Sequence, residues 1–354
     1  MLKRESQSGL YKGLIAVFGL SFALFGGTAR AFQGNAELQT GTQLTGMGRF
    51  AEAIPHLLAA KKAEAGAYAA AFNLAICYLG LGAYREAVAE LEPLRPATAN
   101  PAAVRNLLAQ AYLGEGDREA AWREFEAAAA ATPRDEKLYA FVADACTDHR
   151  EYELGLRVVE EGLRALPDSA RLHYERGLFL AELDRMAEAD PEFERASILA
   201  PESYIASLAK VQGDLYRQDS GAAILLLREL AGGGHRDART LSLLGTVLLQ
   251  NGAKPGEPEF AEAQSALEES VKISPRYSAT QIALGKMALM LGRLEEAREH
   301  LELARSIEPG NPAVYTNLVG VYRKLGDAEK ARVTEEQLSK LLEKKAPVAV
   351  VTNH

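Results

Sequence analysis

The sequence is poor in the features that mark several protein classes. Two cysteines in 354 residues are too few for a disulfide framework. Positive charge is in deficit, with 40 Lys and Arg against 48 Asp and Glu, a formal net charge of -8. That argues against nucleic acid as the main partner, because duplex binding needs a basic surface to displace counterions. There is no P-loop, no complete GxGxxG after a strand, no HExxH, no GxSxG and no CxxC. No run after residue 31 approaches the ~18–20 apolar residues of a membrane span. A disordered chain is excluded from the other side, since 48% of the residues are hydrophobic.

The first 31 residues read as an export signal. Lys3, Arg4 and Lys12 open it, an apolar run from Leu14 to Phe25 follows, and Ala29-Arg30-Ala31 closes it with small-x-small spacing. Cleavage is expected between Ala31 and Phe32, giving a protein in the periplasm or secreted. An uncleaved anchor is the alternative, disfavoured because the run falls short of the ~20 residues a bilayer needs. Removing four basic residues and Glu5 takes away +3, so -8 becomes -11 in the mature chain.

From Gly34 a 34-residue period returns nine times, in blocks that start at Gly34, Tyr68, Ala102, Glu136, Ala170, Tyr204, Ala238, Ser278 and Pro312. Only the seventh is longer, by six residues at the loop 254–259. Column 20 holds Ala53, Ala87, Ala121, Gly155, Ala189, Ala223, Ala263, Ala297 and Ala331. Column 8 is small in seven blocks: Gly41, Ala75, Ala109, Ala143, Gly177, Gly245 and Gly285. Proline stands at column 32 in five, as Pro133, Pro167, Pro201, Pro275 and Pro309. With apolar residues at helical spacing between them, each block predicts two antiparallel helices that cross closely at the small residues. A glycine makes the turn, and proline stops the second helix. A single hairpin cannot bury its apolar stripe, so successive hairpins must stack.

The stretch "NLAICYLGLGAYREAVAEL", Asn73 to Leu91, closely resembles the tetratricopeptide repeat consensus, and the metre covers nearly all of the mature chain. The resemblance implies an all-α fold: a right-handed superhelical solenoid of about nine helix-turn-helix repeats, with the first helix of each repeat lining a concave groove. It also implies a non-enzymatic scaffold that holds a protein or extended peptide, with no cofactor and no metal. The expected organisation is a signal over 1–31, repeats 1–5 over 34–203 and repeats 7–9 over 238–345. Between them, 204–237 is a degenerate sixth repeat, a hinge or an irregular rigid unit. An unstructured tail covers 346–354. In the sixth block, Lys210 and Asp214 fall where core residues belong, so its first helix either slips register or opens.

Family geometry places Phe72, Ile76, Asn106, Gln110, Asp144, Asp148, Tyr174 and Glu182 on the groove wall. The amides would pair with a peptide backbone and the apolar residues with its side chains. For most of these residues, ordinary solvated helix surface is an equal reading. Residues 136–203 carry 16 acidic and 8 basic side chains, which fits a basic partner segment or serves solubility alone. The Lys and Asn pattern that clamps acidic chaperone tails is absent around Asn73 and Asn317. By family, the context of such exported chains is assembly or secretion of envelope components, in bacteria. The alternative is a polysaccharide-secretion or glycan-binding role. Cys77 and Cys146 fall two repeats apart, too far for a bridge. Asp144, Asp148 and His149 form the one local cluster of metal-ligand types and lack a fixed third or fourth ligand.

Overall fold

A computed structural model describes residues 29–63, 66–95 and 101–345. The basic start and apolar run of the expected signal lie outside the described residues, as does the tail 346–354. Described structure begins at Ala29 with a helix that includes the Ala31–Phe32 bond.

Among the described residues there are eighteen α-helices, one 3-10 turn and no strand. They fall into pairs that match the nine blocks. The first five pairs are α1 (Ala29–Gly46) with α2 (Phe50–Lys62), α3 (Ala67–Leu81) with α4 (Tyr84–Leu91), α5 (Pro101–Glu115) with α6 (Arg118–Ala131), α7 (Glu136–His149) with α8 (Tyr152–Ala165), and α9 (Ala170–Glu182) with α10 (Met186–Leu199). The sixth block supplies α11 (Tyr204–Tyr216) and α12 (Ser220–Gly232). The last three are α13 (Ala238–Gln250) with α14 (Pro258–Ile273), α15 (Ser278–Met290) with α16 (Leu294–Ile307), and α17 (Pro312–Leu325) with α18 (Ala328–Lys345).

The small columns mark the close approaches of the helices. A Cβ on Gly41, Gly177, Gly245 or Gly285 would lie 2.5–2.6 Å from Leu57, Phe193, Leu267 or Leu301 respectively. All four partners stand at column 24, so column 8 is the crossing point within a hairpin. Column 20 is buried in every repeat. At Gly155 a Cβ would meet the ring of Phe179, in the next repeat, at 2.4 Å. In repeat 4, then, column 20 faces the next hairpin, while in repeat 7 it lies at the crossing within its own, where a Cβ on Gly245 would come 3.0 Å from the Ala263 carbonyl. Side-chain caps start many helices: Asp117, Asp135, Ser169, Asp219, Asp237 and Asn311 each accept from a backbone N–H of the first turn. Each such cap contributes about 1 kcal/mol.

Column 15, the turn between the two helices, is left-handed throughout. Gly48, Gly82, Gly116, Gly252, Gly292 and Gly326 take φ of 70° to 97° there. Repeats 4 to 6 place Arg150, Asp184 and Gln218 in the same conformation at 58° to 61°, where a side chain costs about 1–2 kcal/mol.

The column-32 prolines do more than stop helices. Six residues after four of them, a long side chain at column 4 of the next repeat reaches back to the proline carbonyl. Tyr139 donates to Pro133 (2.9 Å), Gln281 to Pro275 (2.7 Å) and Tyr315 to Pro309 (2.7 Å), and His173 Nε2 lies 3.0 Å from the carbonyl of Pro167. After Pro201 the residue is Ser207, whose hydroxyl bonds the Ser203 carbonyl instead. Column 4 also pairs across the hairpin with column 23. Glu37 meets His56 (2.5 Å), Arg105 meets Glu124 (2.9 Å), His173 meets Glu192 (2.6 Å) and Gln281 meets His300 (2.7 Å).

The chain divides into two compact units, residues 1–213 and 214–354, the division falling inside α11. In the first unit the leading helices stack in order, α1 on α3, α3 on α5, α5 on α7 and α7 on α9. In the second, α13 packs on α15 and α15 on α17. Helix α11 starts at column 1 and is followed by the left-handed turn at Gln218, column 15, as in its neighbours, so the register slip offered for the sixth block does not occur. It buries Ala206, Leu208, Ala209 and Val211 and leaves Lys210 exposed at a column that most other repeats bury. At the other end of the second unit, Glu335 takes an exposed ion pair with Arg323 at 2.8 Å rather than a core position. Cys77 and Cys146 are free and buried. Burial pushes the Cys77 thiol up to about 12, despite a contact with Thr45 at 3.2 Å. Among the described residues no helix is long and apolar enough to cross a membrane.

Candidate functional site

Of the eight residues assigned to a groove wall, five are buried. Phe72 and Ile76 are 4% and 1% exposed and sit in one apolar cluster with Leu107, Leu108 and, from α7, Phe141. Tyr174 is fully buried, its ring 6.1 Å from that of Phe193. Asn106 and Gln110, one turn apart on α5, are each 7% exposed, and Asn106 Oδ1 and Gln110 Nε2 meet no hydrogen-bond partner. The apolar and amide lining expected of repeats 2, 3 and 5 is thus packed interior. The cause is the alanine content of the leading helices: Ala70, Ala71, Ala75, Ala109, Ala111 and Ala143 are all buried. Without bulk between them, successive helices close over columns 5 and 9. Burial of Phe72 and Tyr174 also takes away the two wall aromatics that could have stacked on a sugar.

The three carboxylates stay within reach of solvent. Asp144 is half-buried and accepts from Arg171 at 3.1 and 3.3 Å, the same guanidinium lying 3.3 Å from buried Glu175. Asp148, at the end of α7, and Glu182, at the end of α9, are exposed. Glu182 lies 3.9 Å from Arg150. This contact is one rung of a series along the turns, since Arg85 meets Glu115 (3.7 Å) and Arg118 pairs with Glu151. Each rung joins one repeat to the next. At these exposures a rung is worth about 0–1 kcal/mol and serves to fix side-chain positions more than to stabilise.

The metal reading gains nothing from the structure. Asp144 is engaged by arginine, the His149 ring packs edge-on against Tyr84 at 5.4 Å, and among the described residues no trio of His, Cys, Asp or Glu could hold an ion.

One surface feature escaped the sequence. Between α6 and α8 an open cleft of about 340 Å³ is lined by Arg118, Trp122, Arg123, Glu151, Leu154 and Arg157. The Arg157 guanidinium lies 3.9 Å over the ring of Trp122, the sole tryptophan of the chain. That single residue, at column 21 beside the invariant small position, was the available signal.

Two tetratricopeptide repeat profiles match the chain, one over residues 44–111 and 288–346, the other over 143–204 and 259–312. The chain belongs to the tetratricopeptide repeat family. Among solved structures, a tetratricopeptide repeat protein from Parabacteroides merdae superposes with a TM-score of 0.50 at 17% identity, covering 78% of this chain and 98% of that one. Human IFIT1, solved as a dimer with PPP-AAAA, gives 0.56 at 15% identity, covering 98% of this chain and 84% of that one. At these identities the likeness concerns the fold. By sequence, anaphase-promoting complex subunit 7 of Dictyostelium discoideum is 27% identical over 150 residues, 42% of this chain. The match spans 25% of that protein, so the chain accounts for about a quarter of the relative's length. As a tetratricopeptide repeat protein, the chain has the architecture of a protein-binding scaffold.

Proposed function

We propose that this chain is an exported, non-enzymatic scaffold that holds a basic segment of a partner protein against the acidic helix ends of repeats 4 and 5. The observation that carries the reading is the sorting of the expected wall residues: the apolar and amide members are interior, and the members left accessible are Asp144, Asp148 and Glu182. The net charge of the block from Glu136 to Ser203, 16 acidic against 8 basic side chains, gives -8 and supplies a field that steers a cationic segment. Family membership supports the scaffold role. The reading places the protein in envelope assembly or secretion, on the strength of its N-terminal sequence.

The test is binding of the full chain to an array of Lys- and Arg-rich peptides at low and high salt. Asp148→Lys with Glu182→Lys should lose most of the binding while leaving the fold intact, and salt should weaken the wild type. Equal binding by the two proteins overturns the acidic site. Export is tested separately by N-terminal sequencing of the protein from an envelope fraction. A start at Phe32 supports it, and an intact Met1 in the cytoplasm refutes it.

A further inference from the structure

We propose that His173 is a pH-controlled latch, which as an imidazolium clamps the loop leaving repeat 4 to both helices of repeat 5 and as a neutral ring releases one of those two contacts. The argument is one of donors and acceptors. The ring makes two hydrogen bonds, from Nδ1 to Glu192 Oε2 at 2.6 Å and from Nε2 to the Pro167 carbonyl at 3.0 Å. A carbonyl oxygen only accepts, and an ionised carboxylate only accepts. Both ring nitrogens must therefore carry hydrogen, a condition met by the cation alone.

The surroundings keep Glu192 ionised. Burial would push its carboxyl up, but the bond from His173 and the charge of Arg176, which also bonds it, hold it below the usual carboxylate range. His173 is correspondingly raised above the ordinary histidine value, chiefly by the bond to Glu192, with burial opposing and the Pro167 carbonyl assisting. Each neighbouring element contributes known charges. On α9 itself Arg176 joins Glu192 to Glu160 of α8. On α10 Arg195 opposes protonation, softened by its pair with Asp168 in the loop. On α7 Asp144 pairs with Arg171, Glu136 accepts from Ser169, and Asp148 is exposed at the far end of the helix.

The same loop contact is made elsewhere by two phenols and an amide: Tyr139, Tyr315 and Gln281. Of these four latches, the one in repeat 5 alone is an imidazole. The sign follows from linkage. With its folded pKa raised, the contribution of His173 is fully present below about pH 6.5 and is lost as pH rises through the folded value.

The experiment compares the full wild-type chain with His173→Gln and His173→Tyr, substitutions copied from repeats 8 and 4. Amide hydrogen exchange of residues 166–173 is followed from pH 6 to pH 9 and corrected for the intrinsic rate. The wild type should lose protection severalfold across this range, up to about tenfold for each unit by which the folded pKa exceeds the unfolded one. Both variants should show flat protection, with the Pro133–Tyr139 loop as the internal control in all three. Protection independent of pH in the wild type overturns the latch. So does an identical pH dependence in the two variants.

Discussion

In repeat 5 the first helix offers a histidine, His173, to a carboxylate on the second, Glu192; in repeat 8 it offers an amide, Gln281, to a histidine, His300. The columns are the same, 4 and 23, and in both repeats the column-4 side chain also reaches the carbonyl of the preceding proline. Yet the two imidazoles are driven in opposite directions. The carboxylate partner raises His173, whereas burial lowers His300, opposed by the charges of Glu296 and Glu299 on its own helix. Gln281 satisfies the arrangement without charge, because one amide supplies a donor to Pro275 and an acceptor to His300 Nδ1. A repeat frame thus fixes where side chains meet and leaves open whether the meeting is ionic. That choice decides which junction responds to pH.

The frame itself should show no such difference. Gly177→Leu in repeat 5 and Gly285→Leu in repeat 8 both drive a side chain into a column-24 residue, Phe193 or Leu301. Each is expected to cost about 3 kcal/mol by overpacking. Denaturant unfolding checks it, and a large cost in one repeat alone would break the equivalence of the hairpins. Next in size, Glu192→Gln leaves Arg176 and the His173 cation without their carboxylate. It is expected to cost about 2 kcal/mol at pH 6 and less at pH 9, read from unfolding at the two values. The pH dependence separates the repeats further. The contribution of His173 falls away as pH rises above about 6.5, while that of His300, buried neutral, is present above about 6.5 and lost as pH falls below it. Stability curves of His173→Gln and His300→Gln against wild type should therefore diverge from it with opposite slopes. The smallest expected effect concerns the turns. Asp184→Gly, which gives repeat 5 the glycine that repeat 8 has at Gly292, should raise stability by about 0.5–1 kcal/mol.

Much of this frame was legible in the sequence because it is enforced by contact. In the four repeats with glycine at column 8 a Cβ would collide with column 24 within the hairpin, and three others hold alanine there, so composition at that column carries the period whatever the surface does. Prolines at column 32 were equally visible. Their partners are marked only by spacing, Tyr139, His173, Gln281 and Tyr315 each standing six residues after one. The candidate site was read less well, since columns 5 and 9 face a groove only where adjacent leading helices stand apart. In repeats 2 and 3 the helix surface is alanine on several sides, as at Ala70, Ala71 and Ala75, so Phe72, Ile76, Asn106 and Gln110 are covered. That distance is a property of neighbouring helices taken together, which no single column records. The charged members stay accessible: Asp144 is half-buried against Arg171, and Asp148 and Glu182 sit exposed at the ends of their helices, beyond the covered columns.

The account turns on one claim, that the same pair of columns, 4 and 23, holds a histidine driven up in repeat 5 and a histidine driven down in repeat 8. Imidazole titration of the full chain by NMR, with His173 and His300 assigned by single substitution, tests it most directly. His173 is expected to titrate above the ordinary value of about 6.5 and His300 below it. Coincident midpoints, or the reverse order, would contradict the account.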